Sequence, residues 1–117
     1  MLNKREINWL IKKYETITKE QIETASNKKL PKGLPYYFYR TVGEKSMVHL
    51  TGFSNSEKCK PCSKVNHNCS YCGLQIDFNR CYEQKTYKAI ENAETVNATF
   101  KAIRARAEFL RKYFPNK

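Results

Sequence analysis

Five cysteines lie close together in this chain, between Cys59 and Cys81, and the rest of the sequence contains none. Four of them form two Cys-x-x-Cys pairs, Cys59 with Cys62 and Cys69 with Cys72. Each such turn can hold two thiolates on one side of a tight loop, at about 2.3 Å from a shared tetrahedral zinc ion. The spacing therefore predicts a closed structural Zn2+ site with Cys59, Cys62, Cys69 and Cys72 as its ligands.

A second ligand set replaces one cysteine by a histidine, in the pattern Cys59-x2-Cys62-x4-His67-x4-Cys72. This segment resembles the retroviral-type zinc knuckle over that motif alone. The resemblance implies binding of single-stranded nucleic acid, with bases stacked on an aromatic residue of the motif. Lys60 stands where that aromatic residue is usual, so the resemblance supports metal binding more than base stacking. The four-cysteine set and the Cys-Cys-His-Cys set both stay open.

Two residues outside this motif are further alternative ligands. Cys81 could replace Cys69 as the fourth sulfur, and His49 precedes the cysteines at the end of a predicted strand. An iron–sulfur cluster would also use four thiolates, but the spacing does not match the ferredoxin patterns. A catalytic zinc needs an open coordination position and a nearby general acid or base. Asp77 is the only acidic residue between Cys59 and Cys81, so we predict that the protein is not an enzyme.

Basic residues outnumber acidic ones, with 22 Lys and Arg against 11 Asp and Glu and a net charge of +11 at pH 7. An excess of this size favours a polyanionic partner, most often nucleic acid. Because the basic residues are spread along the chain, the fold must assemble the binding surface. The predicted nucleic-acid-binding residues are Lys58, Lys60, Lys64, Arg80, Arg40, Lys101, Arg104 and Arg111.

Together these features predict a small basic protein with a structural Zn2+ ion that binds RNA or DNA mainly through phosphate contacts. The alternative is a protein-binding accessory or inhibitor factor that acts on a nucleic-acid enzyme. Such a factor would be of the phage or mobile-element type, or a ribonucleoprotein subunit. The sequence shows neither a signal-peptide pattern nor an apolar stretch of membrane-spanning length. We therefore expect an intracellular, cytoplasmic protein with no membrane partner.

The first half of the chain is expected to contain helix and then strand. Residues 1–30 are predicted to be helical, as one helix or as two with a break near Thr18, where Thr18 and Gln21 have the spacing of a capping box. Residues 36–50 begin with β-prone aromatic residues and contain a turn signal at Gly43, so they are predicted to form a β-hairpin.

The second half is expected to contain the metal site and one long helix. The zinc-knuckle loop is placed at residues 57–82. Apolar residues then recur at steps of three and four from Ile90 to Phe114, which predicts a single helix over residues 83–114. The whole chain, residues 1–117, is therefore expected to be one zinc-stabilised domain of the α+β class.

Overall fold

The computed structural model describes residues 4–29, 40–53 and 81–115, and every regular element in these ranges is helical. We number five α-helices in chain order, and a 3-10 turn at Cys81–Glu83 precedes the fourth. The helices are α1 (Lys4–Thr16), α2 (Lys19–Ser26), α3 (Val42–Leu50), α4 (Lys85–Glu91) and α5 (Val96–Arg111). Because the described ranges contain no strand, the predicted α+β class is wrong and this part of the protein is all-α.

The break between α1 and α2 lies at the capping box that the sequence contains. The backbone N–H of Gln21 donates to Thr18 Oγ1 at 3.2 Å, and the N–H of Thr18 donates to Gln21 Oε1 at 2.9 Å. These two bonds satisfy backbone donors that the first turn of a helix leaves without partners. Ile17, at the break itself, is buried. The helix is therefore interrupted here while the chain stays in contact with the core.

The predicted β-hairpin is wrong, because Val42–Leu50 forms helix α3. Thr41 accepts a hydrogen bond from Glu44 N at 3.1 Å, and the Glu44 carboxylate accepts one from Thr41 N at 3.4 Å. This reciprocal pair is a capping box, and its Thr-x-x-Glu signature is present in the sequence. The turn interpretation of Gly43 overlooked it. Residues 36–39, the start of the first predicted strand, lie outside the described residues.

The predicted single helix over residues 83–114 is also wrong, because the chain leaves the helical path between α4 and α5. Thr95 caps α5 by accepting a hydrogen bond from Ala98 N at 3.0 Å. The carbonyl of Ala93, outside both helices, accepts a hydrogen bond from Gly43 N at 2.8 Å. Ile90 and Ala93 are nonetheless buried. The helical spacing of apolar residues therefore continues across the break between α4 and α5. Only the cap at Thr95 and the contact of Ala93 with α3 indicate where the break lies.

Helix α5 lies at the centre of the described helices and contacts the other four. It runs antiparallel to α1, since contacts pair Asn8 with Arg111 and Tyr14 with Arg104, and it contacts the start of α2 through Phe100 and Lys19. The largest buried apolar side chains come from all five helices: Ile7, Ile11, Ile22, Met47, Ile90, Ile103 and Leu110. Within the described ranges, no helix combines the length and apolarity needed to cross a membrane.

Candidate functional site

Most of the predicted metal site lies outside the residues that the structure describes. This holds for Cys59, Cys62, His67, Cys69 and Cys72, and also for the neighbouring bases Lys58, Lys60, Lys64 and Arg80. Within residues 4–29, 40–53 and 81–115, His, Cys, Asp and Glu side chains form no group of three or more that could hold a metal ion. The zinc site therefore stays a prediction, and only His49 and Cys81 among the candidate ligands can be placed.

His49 lies in the last turn of α3, and its imidazole is partly buried. Its Nε2 atom is inaccessible to solvent and has no hydrogen-bond partner. Burial lowers the pKa of His49, the charge of Lys28 lowers it further, and a hydrogen bond with the backbone of Lys29 acts in the opposite direction. The neutral imidazole is thus favoured, which is the form that binds metal ions. A neutral imidazole nitrogen without a hydrogen-bond partner is suited to bind a metal ion.

Cys81 begins the 3-10 turn ahead of α4 and is half-buried against the hydrophobic core. Its carbonyl oxygen accepts a hydrogen bond from Gln84 N at 3.2 Å. Gln84 is buried and immediately precedes α4. The backbone of Cys81 is therefore held against the helices. If Cys81 were a metal ligand, it would connect the metal centre directly to this helical core.

Two of the predicted nucleic-acid contacts on α5 already have partners within the protein. Arg111 forms an ion pair with Glu15, with Nη2 3.0 Å from Oε1, and its Nη1 donates to Asn8 Oδ1 at 3.1 Å. Arg104 donates from Nη1 to the carbonyl oxygen of Tyr14 at 2.6 Å. Both guanidinium groups thus join α5 to α1, which reduces their availability for phosphate.

A second cation lies beside Arg104, and sequence reasoning missed it. The Lys19 ammonium nitrogen is 5.3 Å from the centroid of the Phe100 ring, and the Arg104 guanidinium carbon is 4.4 Å from the same centroid. Lys101, a predicted contact, is exposed one position beyond Phe100. Lys19 belongs to α2, about 80 residues before Phe100 and Arg104 in the sequence. No local sequence pattern could therefore have predicted that it lies near these two residues.

Arg40, the remaining predicted contact in the described residues, immediately precedes the cap of α3. Its side chain is exposed, and its backbone N–H donates to Glu44 Oε1 at 3.3 Å. Arg40 therefore remains a candidate for phosphate contact.

A fully buried arginine is a further feature that the sequence did not reveal. Arg106 is 1% exposed, and its Nη1 donates to Gln84 Oε1 at 3.2 Å and to Thr86 Oγ1 at 2.8 Å. Its Nε atom is buried without a partner. The guanidinium carbon lies 5.5 Å from the centroid of the Tyr87 ring. No ion pair joins Arg106 to any carboxylate among the described residues, although an arginine side chain stays protonated at all physiological pH values.

We expect Arg106→Met to change the free energy of unfolding by no more than about 1 kcal/mol. The substitution removes a buried charge whose desolvation costs several kcal/mol, and replacing buried ion pairs by apolar side chains of similar volume is often neutral or stabilising. The two hydrogen bonds lost have a charged donor and contribute about 1.5–3 kcal/mol each, which offsets most of that gain. Urea unfolding followed by circular dichroism measures the change.

Arg104→Met on the same helix is the matched control for that experiment. It removes a half-buried arginine whose guanidinium donates to a backbone carbonyl, so we expect a loss of about 1–2 kcal/mol. If Arg106→Met proved more destabilising than Arg104→Met, the Arg106 charge would be stabilised by interactions beyond the contacts described above.

Comparison with known proteins returned no similarity: the chain matches no protein-family model, no curated protein and no solved structure.

Proposed function

We propose that this protein binds nucleic acid through phosphate contacts and carries a structural Zn2+ ion. The observation that carries the proposal is the excess of exposed basic side chains in the described ranges. The single ion pair between two described residues is the one from Arg111 to Glu15. The exposed basic residues of the described ranges are Lys4, Arg5, Lys12, Lys19, Lys28, Lys29, Arg40, Lys85, Lys88, Lys101 and Lys112. A surface of this kind attracts a polyanion by releasing its condensed counterions.

Two observations support the metal part of the proposal. The paired Cys-x-x-Cys spacing of Cys59, Cys62, Cys69 and Cys72 is typical of structural zinc. In addition, the orphaned Nε2 of His49 belongs to an imidazole whose pKa is lowered by burial. We propose that thiolates of the cysteine segment hold the ion, with His49, His67 and Cys81 as the alternative ligands. In this role the ion stabilises the fold and performs no catalysis.

The test is the salt dependence of nucleic-acid binding by the purified, zinc-loaded protein. We expect the affinity to fall by roughly 100-fold or more between about 50 mM and 200 mM salt, which corresponds to at least four phosphate contacts. Fluorescence anisotropy with single-stranded and duplex DNA and RNA of equal length would measure it and would also give the strand preference.

Absence of binding at the lower salt concentration, by a protein shown to be folded, would contradict the nucleic-acid proposal. That result would favour the alternative, in which the protein is an accessory factor that binds another protein. Binding that does not respond to salt would contradict the phosphate-contact mechanism, because neutralising phosphates always releases counterions.

A further inference from the structure

The outer face of α1, the side of the helix turned away from the core, is rich in basic side chains. The helix buries Ile7, Leu10, Ile11 and Tyr14 against the core. Successive residues of an α-helix are rotated by about 100° around the helix axis. The sequence therefore shows which residues lie on the side opposite to these four apolar residues. The residues that point there, or close to it, are Arg5, Trp9, Lys12, Lys13 and Thr16.

We call Arg5, Lys12 and Lys13 the α1 basic face. Arg5 and Lys12 are exposed. Lys13 is half-buried, and its ammonium nitrogen lies 5.6 Å from the centroid of the Trp9 ring. Contact with an aromatic face leaves the positive charge of a lysine in place, because the ring carries no net charge.

The carboxylates of α1 lie beside this face and not on it. Glu15 is turned towards α5, where its carboxylate is ion-paired with Arg111. Glu6 lies on the opposite flank, beyond the direction of Lys13, and is half-buried. The central strip of α1 therefore presents positive charge and no carboxylate over about two turns of helix.

This arrangement suits a linear, regularly charged polymer. Arg5 and Lys12 are seven residues apart, so their positions are separated by about 10.5 Å along the helix axis. One strand of a duplex advances by about 3.4 Å per phosphate, so the two side chains can reach different phosphates of one backbone. We propose that the α1 basic face contacts the phosphate backbone of nucleic acid. This inference deepens the proposed function and rests on it.

Two charge-matched variants test this inference. The first combines Arg5→Gln, Lys12→Gln and Lys13→Gln. The control combines Lys85→Gln, Lys88→Gln and Lys112→Gln, which removes the same charge from exposed positions on or next to α4 and α5. For the α1 variant we expect the slope of log affinity against log salt to fall by about 2–3 and the affinity to drop roughly 100-fold at 0.1 M salt. For the control we expect less than a threefold loss, since only general electrostatic attraction is reduced.

Trp9 provides an independent readout, since it is the only tryptophan of the chain. Nucleic acid docked on the α1 basic face should change the intensity or wavelength of its fluorescence, with the same affinity and salt dependence as the anisotropy titration. Circular dichroism must show that both variants keep the wild-type helix content. Should the triple variant unfold, Arg5→Gln with Lys12→Gln, both at exposed positions, replaces it.

The outcomes separate this inference from the proposed function. Equal losses in the two variants, together with unchanged Trp9 fluorescence, would overturn the α1 assignment and leave nucleic-acid binding standing. Failure of the wild-type protein to bind any nucleic acid at low salt would overturn both. Binding of the wild-type protein to vesicles of anionic lipid, but to no nucleic acid, would likewise overturn both.

Discussion

Gly43→Ala is expected to lower the free energy of unfolding by about 3 kcal/mol or more. A Cβ atom at this position would collide with the carbonyl oxygen of Ile90 and would also meet the Cβ of Ala93 at 3.3 Å. The Ile90 oxygen belongs to the backbone of α4, so no side-chain rotation can relieve the clash. Overpacking of buried sites commonly costs 1–3 kcal/mol, and more where the neighbours cannot yield.

Two hydrogen bonds prevent α3 from moving away to make room. The N–H of Gly43 donates to Ala93 O at 2.8 Å, and Thr41 Oγ1 donates to Glu91 O at 2.7 Å. Both bonds join the start of α3 to the end of α4 and the residues after it. A shift large enough to accept a methyl group would lengthen both of them, so the cost of the substitution includes part of their energy.

Gly52→Ala is the matched control. Gly52 is also a buried glycine, but there glycine is favoured by the backbone conformation and not by a close contact. Its φ of 77° lies in the left-handed region that favours glycine, so alanine there costs about 1–2 kcal/mol through backbone strain. Urea denaturation of both variants measures the difference between their free energies of unfolding. A Gly43→Ala variant no less stable than Gly52→Ala would show that α3 and α4 are not packed as closely as described.

Cys59→Ser is expected to have the largest effect of all on the metal-loaded protein, if the proposed zinc site is correct. Structural zinc contributes roughly 10–16 kcal/mol of binding free energy in small zinc domains, whereas a whole domain is stable by only about 5–15 kcal/mol. Loss of one thiolate should therefore abolish stoichiometric zinc and cause unfolding or aggregation. Zinc content by mass spectrometry and thermal melting measure these two effects.

Cys81→Ser and His49→Gln are the controls that test whether either of these two alternative residues is a zinc ligand. With the four-cysteine set both variants should keep one zinc ion and the wild-type melting temperature to within a few degrees. Loss of zinc in either would assign that residue as a ligand in place of one of the four. A soluble Cys59→Ser protein with unchanged melting would remove the structural-metal proposal altogether.

The helix termini show how much of the secondary structure can be predicted from local sequence. The capping box at Thr18 was recognised, and the structure contains it. The equivalent box at Thr41 is just as local, yet the β-prone residues before it and the turn signal at Gly43 favoured a hairpin. For a segment as short as Val42–Leu50, periodicity does not reliably separate a strand from a helix. The cap, a physical requirement of the helix, was the more reliable signal.

Local sequence therefore determined the helical start of the chain, the cap residues, the excess of positive charge and the cysteine spacing that predicts zinc. Each depends on neighbouring residues or on composition. Only the tertiary structure decided which basic residues are available. It brings Arg111 to Glu15 across 96 residues and Arg104 to Tyr14 across 90, while it leaves Arg5 and Lys12 exposed. The reason is physical: an ion pair or hydrogen bond between distant residues forms only after helices pack, and no local pattern encodes the packing of α1 against α5.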